Sequence, residues 1–305
     1  DVYKRQPVSE LRCAGATDIG KTREINQDHF LVANLQRVMN VLTSSVPEAD
    51  REKFFGRQPG HLLVVADGMG GYEGGEKASC YAVQSASSYV LDMMHWFLRL
   101  TDDGEDDFIE ELQHCLARAQ EKICLHANGR EHEMGTTLTL AYVIGMRLYL
   151  VHAGDTRCYL LRNGTLRQLT TDHTIAQRLY EDGVMTEDEV ETSRWSHVLW
   201  NCVGGKGDPV RAEASRICLA SGDRLLLCSD GLHGSVSQEH LCEILETSST
   251  PDESVRRLID KANHEGGRDN ITAVVCHIPE EYVNDVDSIA DMSWLADTAV
   301  LDSPS

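Results

Sequence analysis

Five aspartates in this chain share one local setting. Asp28, Asp67, Asp155, Asp230 and Asp269 each adjoin an apolar stretch of strand length, and each lies in a turn containing Gly or Asn. The clearest case is Asp67-Gly68-Met69-Gly70-Gly71, which follows the uninterrupted apolar run Leu62–Ala66. Such a run reads as a strand buried on both faces. The glycines after it leave main chain bare for close approach. A carboxylate at the end of a buried strand, beside bare backbone, suits a cation or a phosphate. An Asp-Gly pair is also an ordinary turn, so the repetition carries the argument. If the strands stack in one or two sheets, the five carboxylates can gather at one end. Gathered carboxylates repel unless protons or cations compensate them. An all-oxygen set suits Mg²⁺ or Mn²⁺. Zinc fits less well, because neither H-E-x-x-H nor a paired-cysteine spacing occurs.

The elements that must position these residues follow from periodicity. Strands are expected at Leu11–Thr17, Phe30–Ala33, Leu62–Ala66, Thr137–Ile144, Arg147–His152, Arg157–Arg162, Arg224–Cys228 and Ile271–Ile278. Gly145-Met146 and Asn163-Gly164 mark tight turns. Helical spacing places Ala78, Ala82, Ser85, Ala86, Tyr89 and Met93 on one face of a helix over 75–98. It places Phe108, Leu112, Leu116, Ala119 and Ile123 inward on another over 105–125. Further helices are expected at Thr174–Glu181, Thr186–Glu191, Gln238–Glu246 and Pro251–Glu265. Residues 35–60 read as an irregular insertion. Residues 173–211 read as a surface segment in which Trp195 and Trp200 either contact a partner or anchor the loop.

Composition bounds the function. Formal net charge is −21 over 305 residues, so the basic footprint of a general nucleic-acid binder is missing. No apolar run approaches the roughly 20 residues of a membrane-spanning helix, and no signal peptide is recognisable. The ten cysteines are scattered, several inside apolar runs, which is the usage of a reduced cytoplasmic protein. Residues 8–279 read as one domain, and 280–305 as an acidic, disordered tail with a docking patch at Met292–Leu295. Asp1–Gln6 is read as a fragment edge or non-native. Gly15–Thr22 matches the phosphate-loop pattern G-x-x-x-x-G-K-[ST], which would make the chain a nucleotide hydrolase. That pattern requires a following helix, and a polar turn and a β-like run follow instead.

Six segments occur together and in order: ATDIGKTREINQDHF, VVADGMGGYEGGEKAS, MGTTLT, VHAGDTRCYLLRNGTLRQLTTDHT, LLLCSDGL and GGRDNITAVV. On these the chain, over about residues 12–278, resembles the bacterial metal-dependent Ser/Thr protein phosphatases of the PPM (PP2C-like) family. The resemblance implies an α+β fold, a four-layer αββα sandwich of two antiparallel sheets flanked by helix pairs. It implies hydrolysis of phosphoserine and phosphothreonine by a metal-activated water at a centre of two Mn²⁺ or Mg²⁺ ions. Asp67 would bridge the ions, Gly68 (through its carbonyl) and Asp28 (through a held water) would complete one site, and Asp230 and Asp269 would hold the other. Asp155 matches one ligand of a third, weak ion. Arg23 matches the arginine that grips the phosphate, and 173–211 corresponds to the flap that discriminates protein substrates. Three positions depart from the pattern. Gln27 stands where many relatives have Glu, Met69 where some have a His assigned as general acid, and Gly234 where some have a further Asp for the third ion. Expected partners are phosphorylated proteins, including a Ser/Thr protein kinase and its substrates, acted on by a monomer, with no nucleic acid and no membrane. A catalytically silent phosphoprotein-binding module is the alternative from another class.

Overall fold

Alternation along the strands decides the layers. The computed structural model of the chain describes residues 11–35, 38–40, 53–55, 60–70, 74–93, 102–127, 134–205 and 209–280. The expectations for Asp1–Gln6, for the tail beyond residue 280 and for Met292–Leu295 lie outside these residues. The first half contains β1 (Arg12–Asp18), β2 (Asp28–Leu35), β3 (Val38–Asn40), β4 (Lys53–Phe55), β5 (Gly60–Met69), α1 (Gly74–Met93) and α2 (Asp102–Ala127). A run of strands follows: β6 (Gly135–Thr136), β7 (Leu138–Ile144), β8 (Arg147–Ala153), β9 (Arg157–Arg162) and β10 (Thr165–Gln168). Then come α3 (Ile175–Glu181), α4 (Glu187–Thr192), β11 (Val203–Gly204), β12 (Glu213–Cys218) and β13 (Arg224–Cys228). The chain continues through α5 (Asp230–His233), α6 (Gln238–Thr247), α7 (Pro251–His264) and β14 (Ile271–His277).

Two antiparallel sheets result. One has the order β1-β14-β13-β9-β10. The other has the order β11-β6-β5-β7-β8-β12, with β2 on the free flank of β5. In β5, Leu62, Val64 and Ala66 face α1 and α2, while Leu63 and Val65 face the opposing sheet. In β14, Ile271, Ala273 and Val275 face the α6–α7 side, and Val274 and Cys276 face inward between the sheets. The period of two thus serves two cores at once, and Leu62–Ala66 of β5 and most of β14 are apolar for that reason. The layers run α1/α2, sheet, sheet, α6/α7, as the resemblance implied.

Both long helices bury the expected faces. Ala78, Ala82 and Ala86 let α1 lie close on its sheet, and Phe108, Leu112, Leu116, Ala119 and Ile123 of α2 are fully buried. Ser85 and Tyr89 are only partly covered. The side chains of Thr174, Ser237 and Thr250 cap α3, α6 and α7 by accepting from an amide three residues on. Four features differ from expectation. The strand expected at 137–144 is β7, preceded by a further short strand, β6, and β2 begins at Asp28 rather than after it. The described parts of the 35–60 insertion, β3 and β4, pair as a ribbon. Strands β10 and β12 have no long apolar run, being half-exposed edge strands recruited by their neighbours β9 and β8.

Candidate metal and phosphate site

The connections between sheets gather the aspartates. The chain leaves one sheet after β1 and enters the other at Asp28, and it crosses back between β8 and β9 at Gly154-Asp155. Asp28 pairs in register with Asp67, and Asp18, at the end of β1, pairs with Ile271, next to Asn270 and Asp269. Asp230 follows β13 and opens α5. The five carboxylates therefore converge on one edge of the sandwich, three from one sheet's connections and two from the other's.

Close main-chain approach needs glycine at two points. A Cβ on Gly68 would run into the carbonyl of Gly75, and one on Gly231 into the carbonyl of Asn270. Only bare backbone lets the β5–α1 and β13–α5 turns press against their neighbours. The Asp67 main chain is clamped from both sides. Its N–H donates to Thr137 Oγ1 (2.9 Å), and its carbonyl accepts from Thr137 N–H (2.9 Å) and Thr136 Oγ1 (2.8 Å).

Electrostatics set this cluster apart from a set of surface acids. Burial, then the neighbouring charges of Asp230 and Asp269, lifts Asp28 to about 6, against hydrogen bonds from Ser229 and Thr272 that act the other way. Asp67 is pushed well above the carboxylate range by burial and by Asp28, Asp230, Asp155 and Asp269. Asp155 is pushed up strongly by burial and by Asp230 and Asp172. Asp230 is raised by burial and Asp269, and is partly relieved by His197, by a hydrogen bond with Asp67 and by Arg23.

The donor set fits divalent ions. Asp28 Oδ1 and Asp230 Oδ1 are buried and have no hydrogen-bond partner. Buried carboxylate oxygens are rarely left so, and a hard cation satisfies them. Among the described residues no three His, Cys, Asp or Glu side chains stand close enough together to hold a metal ion by themselves. Small hard cations need no such trio, since they keep several waters and take one or two carboxylates plus backbone carbonyls. Gly68 offers such a carbonyl beside Asp67.

Arg23 and Asp269, read from sequence as having separate tasks, meet in the structure. The guanidinium makes a two-pronged contact to Asp269, with Nε to Oδ1 at 2.7 Å and Nη2 to Oδ2 at 2.6 Å. The Arg23 side chain is 53% exposed at the rim, where a phosphate could reach it. Its loop is tied down by Asn270, which sequence reasoning named only as part of a turn. Asn270 Nδ2 donates to the carbonyls of Ile19 and Ile25 (3.0 Å each), and its Oδ1 accepts from Gln27 N–H at 2.9 Å. The phosphate-loop pattern at Gly15–Thr22 has no nucleotide architecture. Gly15 lies inside β1, the Lys21 N–H is taken by the Gly267 carbonyl at 2.7 Å, and a turn leads to a strand.

The departures from the family pattern are also located. Gln27 Nε2 is 3.5 Å from the Gly70 carbonyl. Met69 pairs with Gly135 of β6, and a Cβ there would sit 3.2 Å from Met69 Cγ. Gly234 ends α5, donating to the Asp230 carbonyl at 2.8 Å. In the flap, the two tryptophans separate. Trp200 lies against His173 (5.1 Å between centroids) and under Arg178 and Arg211, as an anchor. Trp195 is exposed beside Arg194. His197, unremarked in the sequence, brings Nδ1 to 3.9 Å from Asp230 Oδ2 and so carries the flap to the cluster.

A sandwich of two antiparallel sheets between helix layers, with buried acids at one edge, defines the class, and comparison defines the family. The chain belongs to the protein phosphatase 2C family, whose model matches residues 42–276. It is 36% identical over 219 residues to the serine/threonine protein phosphatase PstP of Mycobacterium tuberculosis, covering 71% of this chain and 40% of that protein. It therefore spans about two fifths of that relative's length. It is 33% identical to the serine/threonine phosphatase stp of Listeria innocua, covering 72% of this chain and 84% of that one. A crystal structure of the catalytic domain of PstP in complex with two manganese ions superposes with a TM-score of 0.67 at 31% identity. It covers 88% of this chain and 98% of that one.

Proposed function

We propose that this domain is a metal-dependent phosphatase that hydrolyses phosphoserine and phosphothreonine in proteins. One observation carries the reading. Carboxylates from both sheets converge with two buried, unpartnered oxygens, beside an arginine fork open to solvent. Divalent ions, when bound there, acidify water at neutral pH and neutralise phosphoryl oxygens. Asp28, Asp67, Asp230 and Asp269, with the Gly68 carbonyl, are the residues to hold two of them. Asp155 has no aspartate at 234 to complete a third site. Arg23 grips the phosphate with a planar fork that lysine cannot reproduce. Asp269 gives both oxygens to that fork, so an ion on Asp269 would compete with the guanidinium for them and favour release of Arg23 to substrate. The flap supplies Trp195 to residues flanking the phosphorylated side chain.

The relatives' names speak of Ser/Thr phosphatases. That supports phosphoproteins as substrates here, and a Ser/Thr kinase and its targets are the partners this chemistry would oppose. None of the ten cysteines is joined in a disulfide, which supports a reducing, cytoplasmic setting. Among the described residues no helix is long and apolar enough to cross a membrane. The test is phosphate release from phosphoserine, phosphothreonine and phosphotyrosine peptides and from ATP, each with Mn²⁺, Mg²⁺ or chelator. The expected result is release from the first two peptides only when a divalent ion is present. Chelator-resistant release, or turnover of ATP alone, would overturn the reading.

A further inference from the structure

The Asp28 carboxylate sits in a closed ring of hydrogen bonds that ligation alone does not require. Its Oδ2 accepts from Ser229 Oγ and from Thr272 Oγ1, both at 2.7 Å. Thr272 Oγ1 lies 2.8 Å from Thr17 Oγ1, which accepts from Asn26 Nδ2 at 2.9 Å. Asn26 Oδ1 then accepts the Asp28 N–H at 3.1 Å. A hydroxyl has one proton, so the direction of the ring is forced. With the Thr272 proton on Asp28, Thr17 must give its own to Thr272, and Asn26 supplies Thr17. Ser229 Oγ gives its proton to Asp28 and accepts the Thr272 N–H at 3.0 Å.

The placement of these groups is as telling as their count. Thr17 and Thr272 are register partners in one sheet, and Asp28 begins β2 in the other, so the ring spans both sheets. Ser229 and Thr272 are fully buried. A valine would fill the Thr272 site by shape but leave the buried Asp28 Oδ2 one donor short. Both hydroxyl protons end on the same oxygen, which leaves Asp28 Oδ1 as the unpartnered one.

We infer that Ser229 and Thr272, backed by Thr17 and Asn26, are positioning residues that saturate Asp28 Oδ2 and thereby turn Oδ1 alone toward a divalent ion. The inference rests on the metal reading above. Partners that orient a metal ligand in this way contribute about 10- to 100-fold in affinity.

The test is Mn²⁺ titration of the full chain by calorimetry, with unfolding temperature in chelator measured alongside. Thr272→Val and Ser229→Ala should each weaken Mn²⁺ binding about 10-fold, and the double variant about 100-fold. Thr272→Ser, which keeps the hydroxyl, should bind like wild type, and Thr17→Val should lose less than either. Wild-type affinity in both Thr272→Val and the double variant, with Asp67→Asn impaired, would overturn the positioning role and leave the metal site standing. If wild type takes up no Mn²⁺, or Asp67→Asn binds as well as wild type, the metal reading fails and this inference with it. Should Thr272→Val not fold, Ser229→Ala against Thr272→Ser decides.

Discussion

Asp28→Asn should stabilise the protein in chelator and lose most of that advantage in manganese. The folded state raises this carboxyl from 3.8 to about 6, chiefly through burial. The folded protein therefore holds the proton more tightly than the unfolded chain. Stability from this group is greatest below pH 3.8, falls as pH rises to about 6, and stays at its low value above. At about 1.4 kcal/mol for each pH unit, the ionised carboxylate costs the fold about 3 kcal/mol at pH 8. Asparagine keeps an oxygen for Ser229 and Thr272 and carries no charge toward Asp67 and Asp230. In chelator at pH 8 the variant should melt about 6–12 °C above wild type, at about 2–4 °C for each kcal/mol. At pH 5 that gain should fall to about half, because pH 5 lies midway between 3.8 and about 6, and only below 3.8 should it vanish. With Mn²⁺ at about a hundred times its dissociation constant, wild type gains about 2.7 kcal/mol that the variant forgoes, so the order narrows or reverses. Calorimetric melting at the two pH values, with and without Mn²⁺, reads all four corners. If the variant is no more stable than wild type in chelator at pH 8, or if its advantage is as large at pH 5, the electrostatic account of the cluster is wrong.

Other substitutions probe the rest of the site. Asp67→Asn or Asp230→Asn should cut Mn²⁺-dependent turnover about 100-fold or more, equivalent to about 3 kcal/mol of barrier, in steady-state assays on a phosphopeptide. Arg23→Ala should raise KM more than it lowers kcat, Arg23→Lys should recover little, and Lys21→Ala should retain most activity; equal KM in all three would remove Arg23 from the phosphate site. Trp195→Ala should slow phosphoprotein turnover with little effect on nitrophenyl phosphate. Trp200→Ala should lower the melting temperature and slow both substrates alike, since that ring anchors the flap. Met69→His should raise phosphopeptide turnover relative to nitrophenyl phosphate, because an alkoxide leaving group gains from a proton and a nitrophenolate gains little; an unmoved ratio in a folded, metal-bound variant would show that position 69 plays no part in proton transfer.

Much of the fold was legible because buried strands leave an unambiguous trace. Leu62–Ala66 and Ile271–His277 are apolar at nearly every position since each serves two cores, and an uninterrupted run is the one-dimensional image of that. The Ala78, Ala82, Ala86 spacing likewise has one helical explanation. Edge strands β10 and β12 leave no such trace, because a strand that is half solvent-facing and short takes its conformation from a neighbour's hydrogen bonds. The Gly15–Thr22 pattern shows the converse. A string that fits a phosphate loop is here a strand and a turn, and the missing helix distinguishes the two.

The site was legible to the depth of its charges and no further. Buried aspartates beside glycine are unusual enough to be noticed singly, and their repetition at strand ends brings them to one edge. Ser229, Thr272, Thr17 and Asn26 have no comparable signature, because threonine is an ordinary strand residue and serine and asparagine are ordinary turn residues. Their importance exists only in three dimensions. The register that sets Thr17 opposite Thr272, and the crossover that brings Asp28 from the other sheet, create a ring no spacing rule encodes. His197 is hidden for the same reason, lying in a segment whose path over Asp230 depends on how Trp200 is anchored. The engagement of Arg23 with Asp269 goes one step further. Both residues were expected at the site from the family resemblance, yet their pairing with each other follows from Asn270 holding the 19–27 loop against the start of β14. A charge can be read from a letter, but which charge it faces is decided by the backbone hydrogen bonds of its neighbours.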